Sequence, residues 1–370
     1  MTLHRVTIDR TIPLGERPVE GHNRWHPDIP PMICVATGDE AEIHTRDSFD
    51  CQICRPWKGP DLAKASLARA HPLTGPVYVE GAEAGDLLAV DILDVTPHNE
   101  GFTVIAPGFG FLRDIFTAPH LLRWDMADGV ATSPELPGVR IPGAPFFGVM
   151  GLAPSHALLE RINARERALR ERGGAVFLPE VDMATPSDPA IAATALRTIA
   201  PHETGGNLDV KQLVKGTTLY LPVYAKGALF SVGDAHFAQG DGESCGSAIE
   251  TSAILHARFR VLKGEAARRR QEDASFGNES SPRAPLDLSS RFYATTGTCI
   301  AADGRNLSED LTLATRNALL NMVNYIGDRF GFSPENALAL ASVAVNLRIS
   351  QIVDVPNVTV SAFLPLEIFD

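Results

Sequence analysis

The chain has 370 residues, 44% hydrophobic and 21% charged, which describes a folded protein with room for more than one core and excludes a disordered polymer. Its formal net charge of -12 argues against a nucleic-acid partner, which needs a basic face. No run approaches the ~18 apolar residues of a membrane span, the opening MTLHRVTIDR lacks the apolar core of a secretory signal, and the cysteines (Cys34, Cys51, Cys54, Cys245, Cys299) are too sparse for a disulfide framework, so the expectation is a soluble cytoplasmic protein without a membrane partner.

In chain order, NRWHPDIPP (23–31) fixes Trp25, His26 and Asp28 beside prolines, a rigid segment suited to shaping a pocket. AEIHTRD (41–47) reads as a strand, and RDSFDCQI (46–53) after it brings Asp47, Asp50 and Gln52 toward the rim of a site. The CQIC run at Cys51–Cys54 invites a zinc or redox reading. A zinc site needs a second pair of similar spacing, which is absent, so these read as ordinary cysteines. PVYVEG (76–81), DLLAVDILDV (86–95), TTLYLPVY (217–224) and ALFSVGD (228–234) are further strand-like runs bounded by turn residues. AKGA (225–228) reads as a hairpin turn between the last two.

One exposed amphipathic helix is expected over residues 155–172, ended by Gly173-Gly174. Residues 264–285 are polar and aperiodic, a loop or linker whose Arg268, Arg269 and Arg270 face solvent. Beyond it, Ser308 is expected to cap a helix presenting Leu311, Ala314, Ala318, Met322 and Ile326 on one face. A second helix is expected to start at Ser333-Pro334, followed by strands in VNLRISQIVD and VTVSAFLP. The expected fold is mainly β, a sandwich or barrel-like body, with a small C-terminal α+β unit. The parts are a β-rich catalytic body over 1–263, a linker over 264–285 and the α+β unit over 286–370.

The chemistry concentrates in SVGDAHFAQGDGESCGSAIE (231–250). On a continued strand Asp234 and His236 are two apart and share a face, a carboxylate and an imidazole that can hold a divalent metal or act as an acid/base pair. QGDGE then gathers Gln239, Asp241 and Glu243 around two glycines, and Glu250 ends an apolar run where a core would not tolerate it unpaired. HETGGNLDVKQL (202–213) is a second polar group, with Glu203, Asn207 and Asp209 about a glycine pair.

Taken together, WHPDIPP, HPLTGPVYVEGAEAGDLLAVDILDV, GGNLDVKQL and GALFSVGDAHFAQGDGESCGSAIE resemble, in the same order, the acetamidase/formamidase family of amide hydrolases, and its longer, formamidase-like branch most. The resemblance runs from about Gly21 to the C-terminal unit. It implies hydrolysis of a small aliphatic amide to carboxylate and ammonia by a β-rich homo-oligomer. Its family-like positions here are Asp47, Gln52, Glu203, Asn207, Asp209, Asp234, His236, Gln239, Asp241, Glu243 and Glu250. GFGFLRDIFTAPHLLRWDMADG (108–129) departs from the pattern and is a candidate lining of the substrate pocket.

Amide hydrolysis needs activated water, a stabilised oxyanion and an acid for the departing nitrogen. A zinc-like divalent ion held by Asp234 and His236, with Asp209 or Glu250 completing the shell, supplies the first two. We expect Asp209 as the third ligand, Glu250 as proton carrier with Asp47 and Gln52 beside it, and Asn207, Gln239 and Glu203 as substrate contacts. The alternatives are a γ-lactam or other cyclic amide as substrate, metal-free acyl transfer by Cys245 with His236 as base, and a non-catalytic small-molecule-binding β-domain.

Overall fold

Period-two burial along Ala253–Leu262 sets the architecture: Ala253, Leu255, Ala257 and Phe259 point inward while Ile254, His256, Arg258 and Arg260 stay partly exposed. The computed structural model describes residues 1–137, 139–278, 291–332 and 344–369, together with Pro334, Ala337 and Ala341. The expected start of a second helix at Ser333 lies outside the described residues.

Two large open sheets and one two-stranded ribbon result among the described residues. The nine-stranded sheet runs Leu3–Val6, Glu40–His44, Ala253–Leu262, Leu87–Pro97, Thr218–Pro222, Ser275–Asn278, Phe292–Gly297, Thr359–Pro365 and Asn346–Gln351. The ten-stranded sheet is centred on Phe230–His236, which pairs with Phe146–Leu152, with Glu250–Thr251 and with Leu73–Val79. Facing side chains of the two sheets, including Val90, Leu219, Phe259 and Phe276 from one and Val77, Phe147, Phe230 and Val232 from the other, form a single core. The Phe230 and Phe259 rings meet edge to face across it at 5.3 Å. The mainly β expectation holds, as an open sandwich with few helices.

The same alternation uses the other face of the nine-stranded sheet. Phe292, Ala294 and Phe363 face the shared core, while Tyr293, Val360, Ala362 and Leu364 turn outward under the helix Leu311–Phe330. Ala314, Ala318, Met322 and Ile326 are its buried stripe, as the sequence periodicity indicated. Gly297 lets the helix backbone come close, since a Cβ there would collide with the Ala314 carbonyl and the Ala318 amide. The cap is Asp310, whose carboxylate accepts the Leu313 N–H at 2.9 Å. Ser308 instead donates to the Ala175 carbonyl, which corrects the expected cap by two residues.

The helix expected over residues 155–172 spans His156–Glu171 and is capped by Ser155, which accepts the Leu158 N–H. A second correction concerns AKGA. It carries the chain from one sheet to the other, with Gly227, Ala228 and Leu229 at φ of 77°, 59° and 59°, so the strands it joins are not a hairpin. The polar stretch after Gly264 holds a short helix, Glu265–Arg269, and the strand Ser275–Asn278 in the nine-stranded sheet. Arg268 and Arg269 both pair with Glu265, and Arg268 also with Asp328. The C-terminal strands thereby continue the sheet begun by the N-terminal body. No helix is long and apolar enough to cross a membrane among the described residues.

Candidate active site

Strand pairing brings the acids of the chain to one histidine. His236 ends Phe230–His236 directly opposite Glu250 on one flank and Phe146 on the other. Asp234, two residues back, occupies the left-handed region at φ 57°, where the ladder to Phe146–Leu152 skips a residue. Gly148 is the residue skipped on the opposing strand. A Cβ on it would run into Asp209 Oδ1 and stand 2.7 Å from Asp234 Oδ2 and 2.8 Å from His236 Cε1, so a side chain there would close the site. Asp209 is delivered by the glycine pair: its N–H and that of Leu208 both bond the Gly148 carbonyl, at 3.3 and 2.9 Å. Asp209, Asp234 and Glu243 all hold positive φ (47°, 57° and 48°), backbone strain that carboxylates bear only where their placement is imposed by the surroundings.

His236 Nε2 lies 3.4 Å from Asp234 Oδ1, 3.3 Å from Glu250 Oε2 and 4.0 Å from Glu243 Oε1, and Nδ1 lies 3.7 Å from Asp209 Oδ1. Gln239 orients the ring, its Oε1 accepting from Nδ1 at 2.9 Å while its Nε2 donates to the Asp209 carbonyl at 3.0 Å. Glu250 is fixed through one oxygen, which accepts Ala248 N–H at 2.8 Å and Ser247 Oγ–H at 3.1 Å. Its other oxygen, His236 Nε2 and both Asp209 oxygens are buried without a hydrogen-bond partner. So many unmatched buried polar atoms are anomalous for a structural cluster and are expected of a binding centre.

Electrostatics agrees. Burial, reinforced by Asp209, pushes Glu243 and Asp354 well above the carboxylate range, and Asp209 itself is raised by burial. Asp234 goes the other way, because the neighbouring His71 and His236 outweigh its burial. His236 is raised despite burial by Glu250 and Asp234.

Beside the cluster lies a cleft of about 420 Å³, whose wall includes Gln239 and Glu243 and an apolar flank of Trp124, Ile141, Ala144 and Ile249. Comparison with known proteins bears directly on this arrangement. The acetamidase/formamidase family model matches residues 7–370. The chain belongs to that family. It is 35% identical to the acetamidase of Mycolicibacterium smegmatis over 90% of this chain and 87% of that one. It is likewise 35% identical to the formamidase of Methylophilus methylotrophus, over 94% and 89%. Among solved structures it is similar to the gamma lactamase from Delftia acidovorans, with a TM-score of 0.73, 34% identity and coverage of 99% and 93% of the two chains. The acetamidase from Bacillus halodurans gives 0.71, 26%, 95% and 97%.

In this member of the family, only some of the site residues expected from sequence come together. Asp209, Asp234, His236, Gln239 and Glu250 converge, joined by Glu243. Asp47 is near enough for Glu250 to contribute to its pKa, which burial raises to about 6 against the N–H bonds from Phe49 and Cys51. Gln52 and Glu203 are engaged elsewhere. Gln52 clamps a loop, donating to the Phe49 and Ser66 carbonyls and accepting Ser66 N–H, and Glu203 is gripped by both terminal nitrogens of Arg165. Asn207 donates to the Ile199 carbonyl and keeps its own oxygen unpartnered. Asp241 pairs with Lys211 and Arg348 at the edge of the cleft. The departing segment 108–129 does reach this region: Trp124 lines the cleft, and Phe109 and Gly110 pack against Gly246 and Cys245.

Sequence reasoning missed Asp354 and Gly148. Asp354 follows a strand far along the chain and is held there by Gln351, whose oxygen accepts its N–H at 2.9 Å. Nothing local in QIVDVPN signals that role.

The donor set fits a divalent metal. Asp234, His236 and Glu250, and separately Asp209, His236 and Glu243, place one ligand atom each within 4.8 Å of the others. The separations from Nε2 of 3.4 Å to Asp234 and 3.3 Å to Glu250 fall at the ligand-to-ligand edges, roughly 3.3–3.6 Å, of a tetrahedral zinc site. The expected trio of Asp209, Asp234 and His236 is thus divided between two sets sharing His236.

Proposed function

We propose that the chain hydrolyses a small aliphatic amide to its carboxylate and ammonia at the His236 cluster, assisted by a divalent metal, zinc by the chemistry of its ligands. The observation that carries this is the set of unpartnered buried donors on His236, Asp209 and Glu250 in a member of an amide-hydrolysing family. Asp234, His236 Nε2 and Glu250 would hold the ion, which when bound acidifies water and polarises a carbonyl.

The chain's own groups supply the rest. Gln239 holds the His236 ring so that Nε2 faces Asp234 and Glu250. Glu243 lines the cleft 4.0 Å from Nε2, which makes it a better-placed proton carrier than Glu250, the carrier expected from sequence. In its ionised form it accepts a proton from the attacking water and returns it to the departing nitrogen, and its raised pKa makes it a stronger base than an ordinary carboxylate. Glu250, tied through one oxygen to Ser247 and Ala248, is held as a rigid ligand. Asp354 lies beside Asp209, and burial together with the Asp209 charge raises its pKa well above the carboxylate range. The apolar flank of the cleft receives the carbon side of the amide. The five free cysteines support a reducing cytoplasmic compartment, and a homo-oligomer follows the family pattern.

Cys245 is poorly placed as a nucleophile. Burial raises its pKa, and its thiol donates to the Ser247 carbonyl at 3.3 Å. The testing assay is ammonia release from formamide, acetamide and propionamide, together with amino-acid release from a γ-lactam, whose ring opening frees no ammonia, by the natural chain and by Cys245→Ser. Both release ammonia from the linear amides at comparable rates in this account. Preference for the lactam would move the substrate to cyclic amides, and loss of activity in Cys245→Ser would restore the thiol mechanism.

A further inference from the structure

The rigid WHPDIPP segment is not used by the catalytic cluster, and it carries a second set of metal-ligating groups. His26, Asp28 and His156 each place one ligand atom within 4.8 Å of the other two. His156 Nε2 is 3.0 Å from Asp28 Oδ1, and His26 Nδ1 is 3.8 Å from Asp28 Oδ2, while the two imidazole rings meet edge to face at 5.6 Å. We propose that His26, Asp28 and His156 form a second divalent-metal site, for a borderline ion such as zinc, with the remaining coordination positions open to water.

Two features make the geometry durable. The strand Arg24–Trp25 is paired with Leu196–Arg197, and Trp25 packs in one cluster with Leu158 and Leu159 of the first turn of the His156–Glu171 helix. The two ligand-bearing segments are therefore locked together by a core, and neither needs to be ordered by the metal. His26 is almost wholly buried, while the Asp28 and His156 side chains are 57% and 63% exposed, so the carboxylate and one imidazole face solvent from which an ion arrives.

The His156–Asp28 hydrogen bond at 3.0 Å already joins two of the ligands, and the other competing interaction is weak. His26 Nδ1 accepts the Asp28 N–H at 3.2 Å, a long bond whose direction already turns the lone pair toward the Asp28 side, and the metal bond replaces it. The helix N-terminus opposes a cation, and the Asp28 carboxylate supplies the compensating charge. Two imidazoles and one carboxylate suit zinc, cobalt or nickel, whereas calcium and magnesium require mostly oxygen donors.

The test uses the full chain stripped by chelator, dialysed against zinc and measured for bound zinc per chain. His156→Ala binds one zinc fewer than the natural chain and keeps its amide hydrolysis, and Asp28→Asn shows the same deficit. His236→Ala retains the His156-dependent zinc, so failure of the catalytic reading leaves this test intact. Equal zinc content in the natural chain and in His156→Ala overturns the proposal. His156 is exposed at the helix start, so its loss leaves the fold in place.

Discussion

A His236→Ala chain releases ammonia from acetamide at least about 10³-fold more slowly than the natural sequence, and it loses the divalent metal of the cluster. The size of the effect follows from the convergence on one ring: Asp234 and Glu250 approach Nε2 at 3.4 and 3.3 Å, and no second imidazole belongs to either donor set. Glu243→Gln separates the roles. It keeps the metal and loses roughly 10²–10⁴ of the rate, the range for a missing general acid and base. Ammonia release and metal content measured on both variants distinguish ligand from proton carrier, and metal loss in Glu243→Gln would reverse that assignment.

Glu166→Gln stabilises the protein above neutral pH. Glu166 is buried in the His156–Glu171 helix and its pKa is pushed from 4.5 to about 8, chiefly by burial. Its neighbour His202, 3.6 Å away, is pushed down to about 3 by burial, so both are neutral near pH 7 and their approach is not an ion pair. A carboxyl raised on folding keeps the folded state ahead in protons between pH 4.5 and 8. Its stabilising contribution is complete below 4.5 and is lost as pH rises through about 8. Glutamine is neutral throughout and removes that loss, which for a shift of this size is roughly 3–5 kcal/mol. Denaturant unfolding of both chains from pH 4 to 9 shows curves that coincide near pH 4, separate progressively between pH 4.5 and about 8, and keep a constant gap above that. Parallel curves would mean that Glu166 is ionised in the folded chain.

The sequence disclosed the site where a short stretch carries most of it. Asp234, His236, Gln239, Glu243 and Glu250 fall within one strand, one glycine loop and the next strand, so their density was visible without a structure. Asp234 and His236 do come together, but not by simple strand alternation, since Asp234 sits at φ 57° opposite a skipped Gly148. Residues that depend on distant pairing were hidden. Asp354 and Gly148 become site residues only when Asn346–Gln351 and Phe146–Leu152 take their places in the sheets. Glu203 looked like a substrate contact because its partner Arg165 lies thirty-eight positions away on a helix. Gln52 looked chemical because loop clamps leave no periodic signature. For the fold, alternation identified the strands well. The sheet change between Tyr224 and Leu229 was invisible, because a glycine turn has the same composition whether it folds the chain back or carries it across a core.

The central claim, that the His236 cluster performs metal-assisted amide hydrolysis, is tested most directly by one titration. Ammonia release from acetamide is followed on chelator-stripped protein of verified metal content as zinc is restored. The account predicts negligible release from the stripped chain and recovery in proportion to zinc bound at the His236 cluster, in natural and His156→Ala chains alike. Full activity in protein shown to be metal-free would contradict it.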